Sequence, residues 1–242
     1  MYSYEDKFFD FVDKSSSKSA LALIPKLVTV LQVDSILDVG CGRGIWLAAW
    51  KQLMNCSVTG IDGNYVDNGS LHILRTEFFA KDLSQSFDLG RTFDLVQCLE
   101  VAEHLPESSA DSLADNLVKH GDLILFSAAR PGQGGEHHVN ERPLTYWISK
   151  FRDRGFDAYD IVRPIVRGIS EIEPWYRFNT LVFANKNGKS RILIDAKALC
   201  EEGHDDLDTL VPFWWRLRCR IIGLIPAPII HVSARLKHRL YS

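Results

Sequence analysis

The run Asp38-Val39-Gly40-Cys41-Gly42-Arg43-Gly44 constrains this chain more than any other stretch of its sequence. An apolar segment, residues 35–40, leads into it. Residues 45–54 lead out with Ile45, Ala48, Ala49 and Leu53 on one helical face. Glycines at alternate positions between a strand and a helix suit a backbone that must turn tightly and lie against a ligand, where a Cβ would collide.

The pattern repeats downstream. Apolar runs at 57–61, 78–81, 93–98, 123–128, 157–162 and 178–184 read as further strands, and 109–119 and 145–154 as helices. Two short helices, 4–11 and 19–31, are expected ahead of the first strand, with a break or kink at Pro25. Residues 64–77 read as a loop with a short helix. Strands alternating with helices imply an α/β fold, a Rossmann-like, seven-stranded, mostly parallel sheet with helices on both faces. The boundary is expected near 185–190. It divides residues 1–187, the catalytic domain with its N-terminal helices, from a basic and aromatic extension, 188–242.

A nicotinamide-binding G-x-G-x-x-G loop would need glycine at position 45, where Ile45 stands. The spacing present, D-x-G-x-G-x-G, resembles motif I of the class I S-adenosylmethionine-dependent methyltransferases. The resemblance spans roughly residues 19–185. It implies that Asp38 and the amides of the Gly40, Gly42 and Gly44 loop hold the methionine end of S-adenosyl-L-methionine. Asp62, followed by Gly63, lies at the end of the second strand, about 20 positions past the loop, where an acid accepts both ribose hydroxyls. In the family an acid after the third strand takes the adenine amino group and the next amide meets the ring, which places Asp82 and Leu83. Asp82 equally suits a helix N-cap. The run Phe93-Asp94-Leu95-Val96, with Leu99-Glu100-Val101-Ala102-Glu103-His104, is similar to the strand-four region of small-molecule methyltransferases. Leu99 and Glu100 thereby join the cofactor set.

The acceptor side is expected from Glu103, His104, His137 and His138 at the carboxyl edge of the sheet. Methyl transfer needs an aligned acceptor and a group to take its proton, which a histidine can do near neutral pH. Glu100, Glu103, His104 and His138 also resemble the metal site of small-RNA terminal 2′-O-methyltransferases. Many metal-free relatives carry the same run, so a polar pocket wall is the favoured reading over a divalent metal. The stretch Pro131-Gly-Gln-Gly-Gly135 with His138-Val-Asn-Glu141 is similar to bacterial methyltransferase domains tied to surface-polysaccharide and glycosylation pathways. That resemblance implies O-methylation of a sugar hydroxyl. Aromatic faces of Trp147, Trp175 and Tyr176 would stack on sugar rings, and Asn140, Glu141 and Arg142 would meet hydroxyls. Methylation of another acceptor class, or a non-catalytic cofactor-binding scaffold, are the alternatives.

The resemblance implies a small-molecule or glycan acceptor, and the charge of the chain disfavours nucleic acid. The 242-residue chain has a net charge of -3, with no general affinity for nucleic acid expected. Yet residues 207–242 hold Arg216, Arg218, Arg220, Arg235, Lys237 and Arg239 against one acid, Asp208. With Trp214, Trp215 and a proline-broken apolar run, this tail suits a membrane interface, a second subunit in a homo-oligomer, or cover over an acceptor groove. No run approaches the roughly 18 apolar residues of a membrane span. The first residues lack the basic-then-apolar order of a signal peptide. Cys41, Cys56, Cys98, Cys200 and Cys219 are scattered without metal-ligand spacing, as in a cytosolic protein with reduced thiols. A cytoplasmic location is expected, peripheral on the membrane's inner face if the tail binds there.

Overall fold

The computed structural model describes residues 6–199 and 207–241; Tyr4 and Cys200 lie outside them. Its elements are α1 (Asp6–Leu27), β1 (Ser35–Val39), α2 (Ile45–Met54), β2 (Ser57–Asp62), β3 (Phe78–Ala80), β4 (Leu95–Leu99), α3 (Ala110–His120), β5 (Leu123–Ser127), α4 (Leu144–Arg152), β6 (Asp157–Tyr159), α5 (Arg163–Val166), α6 (Pro174–Asn179), β7 (Leu181–Ala184), α7 (Phe213–Ile222) and α8 (Ala227–Tyr241). Seven strands form one sheet in the order β3-β2-β1-β4-β5-β7-β6. β1 to β5 pair in parallel, and β7 runs antiparallel to both its neighbours. The expected α/β architecture is the one found.

Both faces of the sheet are covered, and the strands record it residue by residue. Ile36, Leu123, Leu125 and Val182 pack with Leu23, Ile24, Leu47 and Trp50 of α1 and α2. Their neighbours Leu37, Ile124, Phe126 and Leu181 turn the other way, onto Leu113, Leu117, Trp147 and Phe151 of α3 and α4. The chain leaves β1 for β2 and β3 on one side, then returns to place β4 and β5 on the other. This reversal opens a crevice at the carboxyl ends of β1 and β4, where open α/β sheets bind ligands.

Three local expectations are corrected. The N-terminal segment is one helix, α1, which runs through Pro25 to Leu27. Pro25 has no N–H to give the Leu21 carbonyl, so one bond of the ladder is lost there, two residues before the helix ends at Leu27. The strand expected over 178–184 starts at Leu181, because Pro174 opens a short helix that carries Trp175, Tyr176 and Phe178. The strand expected over 157–162 ends at Tyr159. Cys41, Cys56, Cys98 and Cys219 are free thiols. No helix among the described residues is long and apolar enough to cross a membrane.

Candidate active site

A cavity of about 560 Å³ occupies the crevice. The ends of β1, β2 and β4 form its floor, and α1, the Gly-rich loop after β5, α6 and the α7–α8 hairpin enclose it. Asp38, Gly40, Gly42, Asp62, Gly63, Asp82, Leu83, Leu99 and Glu100 line one part. Glu103, His104, Gln133, Glu136, His138, Trp175 and Trp215 line the other.

The glycine loop is built for close approach. Gly40 has φ +86, and a Cβ on it would meet the Val101 side chain at 2.3 Å. Asp62 fixes the loop from the neighbouring strand: its carboxylate accepts the Gly42 and Gly63 amides, both at 2.6 Å, and the Tyr65 hydroxyl at 2.5 Å. Gly44 lies away from the cavity lining. It caps α2 in the left-handed conformation, φ 85, against Ile73. Its place in the motif is therefore conformational.

The cavity concentrates buried carboxyls. Burial pushes Asp38 up to about 8, partly offset by the Gln97 side chain and reinforced by Asp62. Burial likewise raises Asp62 and Glu100, and raises Glu103 well above the carboxylate range with Glu100 adding to the effect. Hydrogen bonds from Gln133 Nε2 at 2.6 Å and Asn179 Nδ2 at 3.4 Å hold Glu100, whose backbone is left-handed at φ 56. Glu103 is 1% exposed. Its own amide and that of Ala129 favour its charge, but neither carboxylate oxygen has a hydrogen-bond partner of good geometry. Four buried acids that ionise only at a cost form a strong receptor for a cation.

On the acceptor side His104 and His138 stand edge to face, with ring centroids 4.9 Å apart. Burial, then His138, holds His104 well below the usual histidine range, so it is neutral at pH 7. His138 Nδ1 lies 2.8 Å from Glu141 Oε1. One ligand atom each from Glu103, His104 and His138 lie within 4.8 Å of one another. Glu100, expected among these ligands, is outside that group and engaged with Gln133 and Asn179.

Other sequence expectations are redrawn. His137 does not line the cavity; its backbone N–H donates to His231 Nδ1 at 2.9 Å, tying the loop to α8. Trp147 is 1% exposed within the core beside Phe126, so it offers no face to a sugar. Asn140 is buried and accepts from Arg142 Nε. Glu141 accepts the amides of Gly132 and Gly134, so it builds the loop. Sequence reasoning missed Tyr65 on Asp62, and also Ser15 and Ser16 of α1 in the cavity wall. It did not single out the cluster that pins α1 over the site. There, Arg43, 8% exposed, pairs with Asp10 at 2.7 Å and Asp13 at 3.5 Å, and His72 meets Asp13. Arg43 inside the glycine motif was the available signal, since its neighbours are small or apolar.

Residues 11–163, more than half the chain, match the family model described as a methyltransferase domain. The chain belongs to this methyltransferase family. S-Adenosylmethionine is the family's methyl donor, and the cavity of this methyltransferase fits it: buried carboxyls answer a sulfonium and an ammonium, and the glycine cradle admits them. A ubiquinone biosynthesis O-methyltransferase of Pseudomonas syringae pv. tomato is 31% identical over 161 residues, covering 59% of this chain and 62% of that protein. The match thus spans about three fifths of the curated relative's length. The sugar N-methyltransferase KedS8 from Streptoalloteichus shares the fold, with a TM-score of 0.52 and 13% identity, over 76% of this chain and 94% of that one. The methyltransferase domain of bacterial CtHen1-C does so with a TM-score of 0.53 and 17% identity, over 69% and 97% of the respective chains.

Proposed function

We propose that this methyltransferase domain transfers a methyl group from S-adenosylmethionine to a hydroxyl oxygen of a sugar or glycan. The observation that carries the reading is the set of four carboxyls, Asp38, Asp62, Glu100 and Glu103, at the sheet's carboxyl edge, beside two histidines and the indole of Trp175. S-Adenosylmethionine supplies, when bound, a methyl group on a cationic sulfur, and Asp38, with the Gly40–Gly42 amides, would hold its amino-acid end. Asp62 would take the ribose hydroxyls, and Asp82 and Leu83 the base. His138 gives its Nδ1–H to Glu141 and keeps Nε2 as a proton acceptor, so it suits the acceptor hydroxyl's proton; Glu141 then steadies the imidazolium. Neutral His104 beside it imposes no competing charge. Trp175 offers an aromatic face to a sugar ring, with Glu136 as a hydroxyl partner. The relative named as an O-methyltransferase supports oxygen as the acceptor atom.

The test is radiolabelled methyl transfer to a panel of saccharides, nucleotide sugars and lipid-linked glycans, run beside catechol and amine acceptors. Saccharide labelling stable to mild base supports an ether product. Turnover of catechols or amines with no saccharide labelled overturns the acceptor assignment.

One observation favours a second, metal-assisted reading: Glu103, His104 and His138 converge, and neither Glu103 oxygen has a hydrogen-bond partner of good geometry. These three would hold a divalent cation, which acidifies an acceptor hydroxyl. Activity unchanged after exhaustive chelation, with no heat of binding for magnesium, manganese or zinc, would remove it.

A further inference from the structure

The C-terminal hairpin has two unlike faces. Its inner face is built into the site. Trp215 packs on Phe178, and Ile222 and Ile230 press on Gly134 so closely that a Cβ there would meet them at 2.9 and 3.2 Å. Arg218 Nη1 donates to the Gln133 carbonyl at 2.8 Å. Trp215, Ile222, Ile230 and Ala234 all line the cavity.

The outer face is apolar and open. Phe213, Trp214, Leu217 and Ile221 recur at helical spacing on the side of α7 opposite Trp215 and Ile222, and Leu224, in the turn that follows, is 85% exposed. Arg216 and Arg220, both exposed, flank that stripe. Ile229 and Val232 of α8 are exposed as well. From Thr209 to the C-terminus the sequence holds no Asp or Glu.

We propose that this face docks on an anionic phospholipid bilayer, lying in the headgroup layer without crossing it. Charge selects that occupant. A second copy seated on the same face would bring Arg216 and Arg220 against themselves, with no acid on either helix to answer them. A nucleic acid would answer the arginines but not Leu224, Ile221 or Phe213. A bilayer of anionic lipid answers both: aromatic and aliphatic side chains enter the acyl boundary while the arginines meet phosphates. The inner face of the same hairpin roofs the acceptor end of the cavity, so docking would hold that roof at the lipid surface. The inference rests on the surface alone and does not depend on the acceptor being a saccharide.

Co-sedimentation of the full chain with vesicles tests it. One vesicle set is phosphatidylcholine alone, the other phosphatidylcholine with phosphatidylglycerol. The protein should partition onto the anionic vesicles, less so as salt rises, with a blue shift of tryptophan fluorescence. Leu224→Glu, and separately Arg216→Glu with Arg220→Glu, should each lower the partition coefficient by about tenfold or more. Unchanged binding of S-adenosylmethionine by these variants shows that they are folded and separates this test from the reaction assigned above. Equal sedimentation with both vesicle sets overturns the proposal. So does failure to bind either set, or a dimer in solution that Leu224→Glu dissociates while vesicle binding is absent.

Discussion

Glu141 accepts the Nδ1–H of His138 across 2.8 Å while its two oxygens also take the amides of Gly132 and Gly134, each at 2.7 Å. One carboxylate thus folds the Gly-rich loop and sets a histidine's tautomer. Burial alone would raise Glu141; its bond to His138 and the two amides outweigh that and hold it below the usual carboxylate range. Glu141→Gln should lower kcat by about 100-fold with little change in the dissociation constant of S-adenosylmethionine, as expected when a base loses its orienting partner. Steady-state kinetics beside cofactor titration decide it. Equal loss in both would place Glu141 in the fold of the whole cavity instead.

Asp62 has a double duty, and its variants should separate the two parts. Tyr65→Phe removes one donor but leaves the Gly42 and Gly63 amides on the carboxylate, so cofactor affinity should fall by no more than about tenfold, or about 1.4 kcal/mol. Asp62→Ala removes the anchor of the glycine loop as well as the ribose partner. It should weaken S-adenosylmethionine by about 100-fold or more and lower the melting temperature of the free protein. Calorimetric titration of both variants checks the ordering, which the assignment of Asp62 requires.

The cofactor half of this cavity was legible in the sequence because each of its residues sits at the end of a strand. Asp38, Asp62 and Glu100 fall where an apolar run stops, and a parallel sheet brings those stops to one edge. The acceptor half was less legible because loops and helices far apart in sequence build it. His137 and His138 are adjacent and chemically identical, yet the left-handed backbone of His137, φ 58, leaves only His138 on the cavity. Trp147 and Trp175 looked alike as sugar platforms. Helical period places Trp147 on the buried face of α4 with Leu144, Ile148 and Phe151, a pattern present in the sequence but outweighed by the tryptophan's chemical appeal. The tail's apolar and basic composition was visible, while its role as the roof of the cavity required the structure.

The raised proton affinity of Asp38 makes cofactor binding pH-dependent. With its ordinary value at 3.8 and its folded value at about 8, Asp38 in the free protein contributes stability that is full below 3.8 and is lost as the pH climbs to about 8. A cationic ligand favours the ionised carboxylate, so binding at neutral pH releases a proton. Affinity for S-adenosylmethionine should rise with pH by up to about tenfold per unit and level off above about 8. Titrations in buffers of different ionisation heat count the proton directly. Asp38→Asn should bind more weakly at the alkaline end and with a flat profile. A wild-type profile flat from pH 6 to 8 would mean Asp38 is already ionised in the free protein, roughly contrary to the cost of its burial.

Gly132 is the contact on which the roof of the acceptor side turns. Its φ is +79, and a Cβ would stand 2.0 Å from the Cys219 carbonyl oxygen, a backbone atom of α7 that cannot swing aside. Gly132→Ala must therefore lift the hairpin or distort the loop, at a cost of about 2–4 kcal/mol from overpacking and the left-handed backbone together. Gly90 is the control: its φ is +66, but nothing lies within 4 Å of its Cβ position, so Gly90→Ala should cost about 1–2 kcal/mol through the backbone alone. The two variants should part most clearly in local behaviour. Gly132→Ala should speed tryptic cleavage at the arginines of α7 and expose Trp215 to quenchers, while S-adenosylmethionine still binds beneath the undisturbed β1–α2 loop. Gly90→Ala should leave both signals unchanged. Protection of α7 in Gly132→Ala equal to that in the parent would show that the loop gives way and the hairpin does not, and the roof would then owe its position to Trp215 on Phe178.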